Sequence, residues 1–133
     1  MIGDSITTAL YQKALDGTWQ RQRAIGNNIA NGETPGYKAV KVSFEDTLKS
    51  EVGKIQSNSA TTGGEFQKLK SISDSDISVS TNNATSNRAD GNNVDLDAEN
   101  VDMSKTVLEY NYLVRGLSDT YSRLKYAISE GKR

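Results

Sequence analysis

The positions Met103, Val107, Tyr110, Val114, Leu117, Tyr121, Leu124 and Ile128 follow one another at alternating four- and three-residue steps, and every one is apolar or aromatic. Sustained over more than three heptads, this is a coiled-coil seam, because a 3.5-residue repeat keeps the same side chains facing one partner along a long helix. Asp95 or Asp97 can cap the helix, and Asp97, Glu99 and Asp102 suit the positive end of its dipole. Lys125, Lys132 and Arg133 suit the other end. About 33 helical residues reach roughly 50 Å, far more than a globule of 133 residues needs. Such a seam demands a helical partner.

Within the chain the candidate partner is the N-terminal segment. Residues 4–30 carry Ile6, Leu10, Ala14, Leu15, Trp19, Gln22, Ile25 and Ile29 in a drifting stripe, with Asp4 or Ser5 as cap. Gly17 and Gly26 interrupt it, at about 1 kcal/mol each relative to Ala, so this helix is weak alone. The expected fold is mainly α: long N- and C-terminal helices paired as a coiled coil, with an irregular, partly disordered central segment. Leu108, Tyr112 and Leu113 lie off the strict seam. In a two-helix pair they would stay exposed, which favours packing on further copies or relatives.

The first helix ends abruptly. Asn31-Gly32 reads as a C-cap pair in the left-handed conformation, and Thr34-Pro35-Gly36 forces a turn. Asn27, Asn28 and Asn31 crowd this helix end. Their amides can hydrogen-bond a neighbouring subunit or cap their own helix. Tyr37 reads as an anchor for the arm after the turn, with an interfacial hydroxyl. Arg21, Arg23 and Lys38 read as local positives on a solvated face. Val40, Val42 and Phe44 alternate with polar residues as in a short strand or extended arm, and Phe44 to Val52 can add a helical turn or two. In residues 50–93 roughly half the side chains are Ser, Thr, Asn or Gly, too little apolar area to offset ordering entropy. Phe66, Leu69 and Ile72 form one apolar group there, and Ile77 and Val79 suggest a small strand. The expected organisation is an N-terminal helix over 1–31, a turn and arm over 32–49, a variable segment over 50–93 and the heptad helix over 94–133.

Composition removes most chemistries. The chain has no Cys and no His, which eliminates thiol nucleophiles, imidazole acid–base work, disulfides and nearly all zinc sites. A net charge of −1 without a basic stripe argues against nucleic acid as a partner. Asp90, Asn92, Asp95, Asp97 and Glu99 hint at calcium, but an EF-hand needs Gly at its sixth position, whereas Gly91 follows Asp90 directly. Carboxylate pairs elsewhere have no apolar pocket to perturb them, so catalysis has no support. No catalytic residue, metal or cofactor is expected. No run of about 18 apolar residues exists to span a membrane, and Met1 to Tyr11 lacks the pattern of a cleavable signal.

Asn27-Asn28-Ile29-Ala30-Asn31 followed by Thr34-Pro35-Gly36-Tyr37-Lys38 resembles the N-terminal motif of bacterial flagellar rod and hook proteins. Asp90-Gly91-Asn92-Asn93-Val94-Asp95-Leu96-Asp97-Ala98-Glu99 is similar to the segment before the C-terminal helix in proximal rod proteins of that family. Leu108, Tyr110, Leu117, Leu124 to Ile128 and Arg21 to Ile25 fit the same type. The likeness covers residues 1–48 and 90–130. Gly26 departs from it, standing where the family usually has Ala, and Asn100-Val101-Asp102 is more polar than usual. The resemblance implies a structural, non-enzymatic subunit of the flagellar basal body, exported unfolded by the flagellar type III system and assembled into a helical tube. Its implied partners are copies of itself, other rod proteins, proteins of the MS-ring/rod junction and, during secretion, the export gate. Phe44 and Leu48 resemble a Phe-x-x-x-aliphatic export-gate motif, against the plainer reading of an i,i+4 packing pair. The alternative class is a soluble coiled-coil adaptor or secretion chaperone, which would have no need of the Thr34–Lys38 turn.

Overall fold

The computed structural model describes residues 2–57, 64–86 and 88–130. The element order is α1 (Ile2–Ala30), β1 (Val40–Ser43), α2 (Glu45–Ser57), α3 (Gly64–Asp74), β2 (Ser78–Thr81) and α4 (Leu96–Glu130). The molecule is mainly helical, and α1 and α4 are its long elements. They pair antiparallel: Tyr11 meets Gly116, Arg21 meets Glu109, Asn28 meets Glu99 and Gly32 meets Leu96. The Asp95 carboxylate starts α4, accepting from the backbone N–H of Asp97 and Ala98, each at 3.1 Å. This satisfies two of the orphan donors of the first turn.

α1 also carries the inserted segment, whose α3, β1 and α2 pack against it. Two side chains plug that interface. Ile72 on α3 is 1% exposed. Phe44, between β1 and α2, is 3% exposed and fills the notch left by Gly17, where a Cβ would stand 2.4 Å from Phe44 Cγ. The Arg21 guanidinium covers the ring at 4.6 Å from its centroid. Burying a side chain of this size contributes about 2–3 kcal/mol. Gly17, which weakens α1 as an isolated helix, is therefore the condition for the molecule's largest apolar anchor.

β1 and β2 form a two-stranded antiparallel sheet with Val40 opposite Thr81 and Val42 opposite Val79. The other edge of β1 is occupied by side chains of α1. Asn28 Nδ2 donates to the Val40 carbonyl at 2.8 Å, Asn28 Oδ1 accepts from the Val40 N–H at 2.9 Å, and Arg21 Nε donates to the Val42 carbonyl at 3.2 Å. A pair of strands this short is marginal alone; here one strand is clamped on both edges.

Several sequence expectations change. The 50–93 span, expected to be irregular apart from a small strand near Ile77 and Val79, carries most of α2 and all of α3 besides β2 among its described residues; residues 58–63 and Asn87 lie outside them. The apolar group Phe66, Leu69 and Ile72 does sit on one helix, but only Ile72 is buried, and Phe66 is exposed. Asn31 and Gly32 do not adopt the left-handed conformation: positive φ occurs at Gly36 and Gly91 alone among the described residues. α1 instead tightens at its end, Gly32 N–H donating to the Ile29 carbonyl at 3.2 Å. Trp19 turns outward and Thr18 takes the buried place, its hydroxyl donating to the Leu15 carbonyl. Arg21 is half-buried rather than solvated, with Glu45 and Glu109 as ion-pair partners.

The seam itself lies to one side of the row that meets α1. The heptad row facing α1 is Glu99, Thr106, Leu113 and Thr120, the first two buried and the others half-buried. Met103, Leu117 and Leu124, on the near edge of the seam, are half-buried. Val107, Tyr110, Val114, Tyr121 and Ile128 are 40%, 41%, 41%, 48% and 51% exposed. The rotation of α4 is set by contacts that tolerate no slip. Glu99 must reach Asn28, and Gly116 must admit Tyr11, whose hydroxyl would lie 2.6 Å from a Cβ at that position. Lys132 and Arg133, expected at the end of this helix, lie outside the described residues.

Candidate functional site

The turn after α1 is built by Thr34, Pro35, Gly36 and Tyr37. Tyr37 N–H closes it on the Thr34 carbonyl at 3.3 Å, and Gly36 has φ of 74°. Pro at the second position and positive φ at the third are the marks of a type II turn. Gly36 N–H donates to the Asp90 carbonyl at 2.7 Å, and Gly91, with φ of 77°, lies against it, its position for a Cβ 3.8 Å from Gly36 Cα. A side chain on either glycine would strain the backbone at its positive φ.

Two amides lock this junction. Asn28 is 1% exposed and uses its whole capacity inside the chain: besides Val40, its Nδ2 donates to Glu99 Oε1 at 3.1 Å and its Oδ1 accepts from the Tyr37 hydroxyl at 3.1 Å. Asn92 is 0% exposed. Its Nδ2 lies 2.9 Å from the Asn31 carbonyl, 3.0 Å from that of Gly32 and 2.8 Å from that of Thr34. Two hydrogens serve three acceptors, so one is shared. Its Oδ1 accepts from Val94 N–H at 2.8 Å, and the Ser86 hydroxyl donates to its carbonyl. Asn92 is thus a C-cap for α1 delivered from a segment 60 residues away. Asn93 adds a second tie, accepting from Ala39 N–H at 2.8 Å and donating to the Asn82 carbonyl at 2.7 Å. Arg88 NH1 donates to the Gly32 carbonyl at 2.9 Å, and Lys38 Nζ donates to that of Gly91 at 2.9 Å.

Of the residues singled out in the sequence, the structure brings Asn28, Asn31, Tyr37 and Lys38 together with the Asp90–Glu99 block. Asn31 caps its own helix, Nδ2 donating to the Asn27 carbonyl at 2.8 Å while its Oδ1 accepts from the Thr34 hydroxyl. Asn27, Thr34, Pro35 and Gly36 are exposed at the surface. Phe44 is the buried plug of α1, and the Leu48 N–H donates to its carbonyl at 2.9 Å, a backbone bond that closes the first turn of α2. Sequence reasoning missed Asn92 and Asn93 as the fastening; the signal was present in Asp90-Gly91-Asn92-Asn93, but the carbonyls they serve are distant in the chain. Glu99, weighed only as a calcium ligand or a helix-dipole charge, is buried against Asn28.

The electrostatics are those of fastening. Burial works to raise the Glu45 carboxyl, but hydrogen bonds from Arg21 and from the backbone N–H groups of Glu45 and Phe44 outweigh it and hold it below its ordinary value. Glu51, buried between α2 and α3, is held down by hydrogen bonds from Lys54 and from the Ser71 hydroxyl at 2.6 Å. Among the described residues no group of three carboxylates is placed to hold a metal ion, and no helix is long and apolar enough to cross a membrane.

Long helices from both chain regions, fastened by side-chain amides at one end and carrying an open apolar face, define a structural protein. The family model described as flagella basal body rod protein matches residues 12–38, the stretch from α1 through the turn to Lys38. The chain is 33% identical over 122 residues to the flagellar basal body rod protein FlgB of Bacillus subtilis, covering 91% of this chain and 92% of that one. It is 30% identical over 129 residues to FlgB of Salmonella typhimurium, covering 92% and 91%, and 25% identical over 135 residues to FlgB of Escherichia coli K12, covering 96% and 98%. The chain belongs to the FlgB family of flagellar basal body rod proteins, a structural family of the flagellar basal body.

Proposed function

We propose that this chain is a non-enzymatic subunit of the proximal rod, exported unfolded through the flagellar type III system and seated by coupled folding in a helical tube that crosses the periplasm. Its partners on this reading are copies of itself, other rod proteins and the proteins that join the rod to the MS-ring. The observation that carries it is the open seam of α4, where Val107, Tyr110, Val114, Tyr121 and Ile128 remain 40–51% exposed. Covering the rest of such a side chain contributes about 1 kcal/mol each, which a helix of a neighbouring subunit supplies and water does not. Asn27 and the exposed Thr34–Gly36 turn are the remaining candidates for subunit contact. The Phe44–Leu48 pair supports recognition by the export gate only while the chain is unfolded, since folding buries Phe44.

The test is Val114→Asp. Because Val114 faces away from α1, the isolated variant keeps its helicity by circular dichroism, yet it fails to enter basal bodies and the cells do not swim. Normal swimming with the variant in purified basal bodies overturns the reading. A soluble adaptor or chaperone would instead stay out of basal bodies altogether.

A further inference from the structure

Asn31-Gly32 is the one Asn-Gly pair in the sequence, and it is the dipeptide most prone to deamidation, since glycine offers no side chain to hinder attack by its own nitrogen. Structure explains why so labile a pair occupies this place. At position 32 a Cβ would stand 2.8 Å from Leu96 Cδ2 and 3.3 Å from the Ile29 carbonyl oxygen, so any larger residue there would push the Leu96 side chain aside where α4 docks on the end of α1. At position 31 the side chain must donate to the Asn27 carbonyl and accept from the Thr34 hydroxyl, which only an amide of that length does here.

We propose that Asn31 is a deamidation site that the Asn92 clasp protects in the folded chain and that reacts when the clasp opens. In the reaction the Gly32 nitrogen, losing its proton to hydroxide, attacks Asn31 Cγ. The Cγ–Nδ2 bond breaks, ammonia leaves and a succinimide forms; water then opens the ring to aspartate or isoaspartate. Each requirement is blocked in the fold. The Gly32 N–H is donated to the Ile29 carbonyl. The Asn31 carboxamide is held at both ends. Gly32 is buried, and its carbonyl is held by Asn92 Nδ2 and Arg88 NH1, so the peptide cannot rotate toward Cγ. The product is also a poor fit. A carboxylate at 31 has no donor for the Asn27 carbonyl and places negative charge at the negative end of the α1 dipole, while isoaspartate lengthens the backbone by one methylene at the turn. A chain that reacts cannot rebuild the junction as it was, so the conversion is one-way.

The experiment follows deamidation of the full-length protein in mildly alkaline buffer by mass spectrometry with peptide mapping, folded and in urea. Folded wild type is expected to convert at Asn31 at least about tenfold more slowly than the denatured chain, because reaction waits on local opening. Asn92→Ala should lose most of that protection. If Asn92→Ala does not fold by circular dichroism, Arg88→Ala, whose side chain is 41% exposed, carries the test with a rise of severalfold. Equal rates folded and denatured, no acceleration in either folded variant, or first conversion at another asparagine of the folded chain would each overturn the proposal.

Discussion

At the scale of single residues, three glycines that look alike in the sequence turn out to have different roles. A Cβ at Gly26 meets nothing within 4 Å, whereas one at Gly17 drives into the Phe44 ring and one at Gly116 into Tyr11. Gly26→Ala is expected to stabilise α1 by about 1 kcal/mol, since it adds helix propensity without a clash. Gly17→Ala should destabilise by about 1–3 kcal/mol or more through overpacking. Urea midpoints of the two variants check this, and a shift of both in the same direction would sink the distinction. The departure of Gly26 from the family pattern was legible in the sequence; the purpose of Gly17 was not, because Phe44 lies 27 residues further on and nothing local links them. Asn28 shows the same limit. Its crowding at a helix end was visible, but its four bonds, to Val40 twice, Tyr37 and Glu99, require the fold.

Among the elements, α1 and α4 were legible because each is long and periodic, and the short strands because Val40, Val42 and Val79 alternate. α3 was only hinted at: its apolar residues are few, and it is held by burying Ile72 on α1 and by the Glu51–Ser71 bond to α2. That bond gives a pH prediction. The folded carboxyl of Glu51 lies below its ordinary value, so its contribution is fully present above the unfolded value of about 4.3 and is lost as pH falls through the lower folded value. Urea midpoints of wild type should therefore fall on the acid limb, and Glu51→Gln should start lower at neutral pH and flatten that part of the limb. An identical acid limb in the variant would show that the α2–α3 docking does not depend on this charge. Arg21 is a second case of an element fixed by one side chain, joining α1 to β1, α2 and α4 at once through Val42, Glu45 and Glu109.

For the whole molecule, the consequence is a chain whose longest helix is covered along one row and open along the next. Glu99 and Thr106 are buried while Val107, Val114 and Tyr121, one residue further on in each heptad, are not. A helix so exposed gains little from packing on α1 and frays where it is least covered. The isolated protein is expected to show modest helicity by circular dichroism and to gain substantially on assembly, as coupled folding requires. A cooperative, fully helical monomer that changes no further on assembly would contradict that expectation. Family membership was within reach of the sequence, since its two blocks are contiguous stretches, each with specific residues.

The sequence alone determined the periods, the stop at Asn31 and the turn at Pro35, and with them two long helices and the family, because these depend on local spacing and backbone chemistry. Tertiary structure alone decided which row of α4 meets α1, that Asn92 closes the end of α1, and that the C-cap needs no left-handed residue. Those outcomes turn on satisfying buried polar groups across 60 or 70 residues of chain. The Asn28–Glu99 bond and the fit of Tyr11 over Gly116 fix the rotation of α4, and the apolar seam takes whatever side remains.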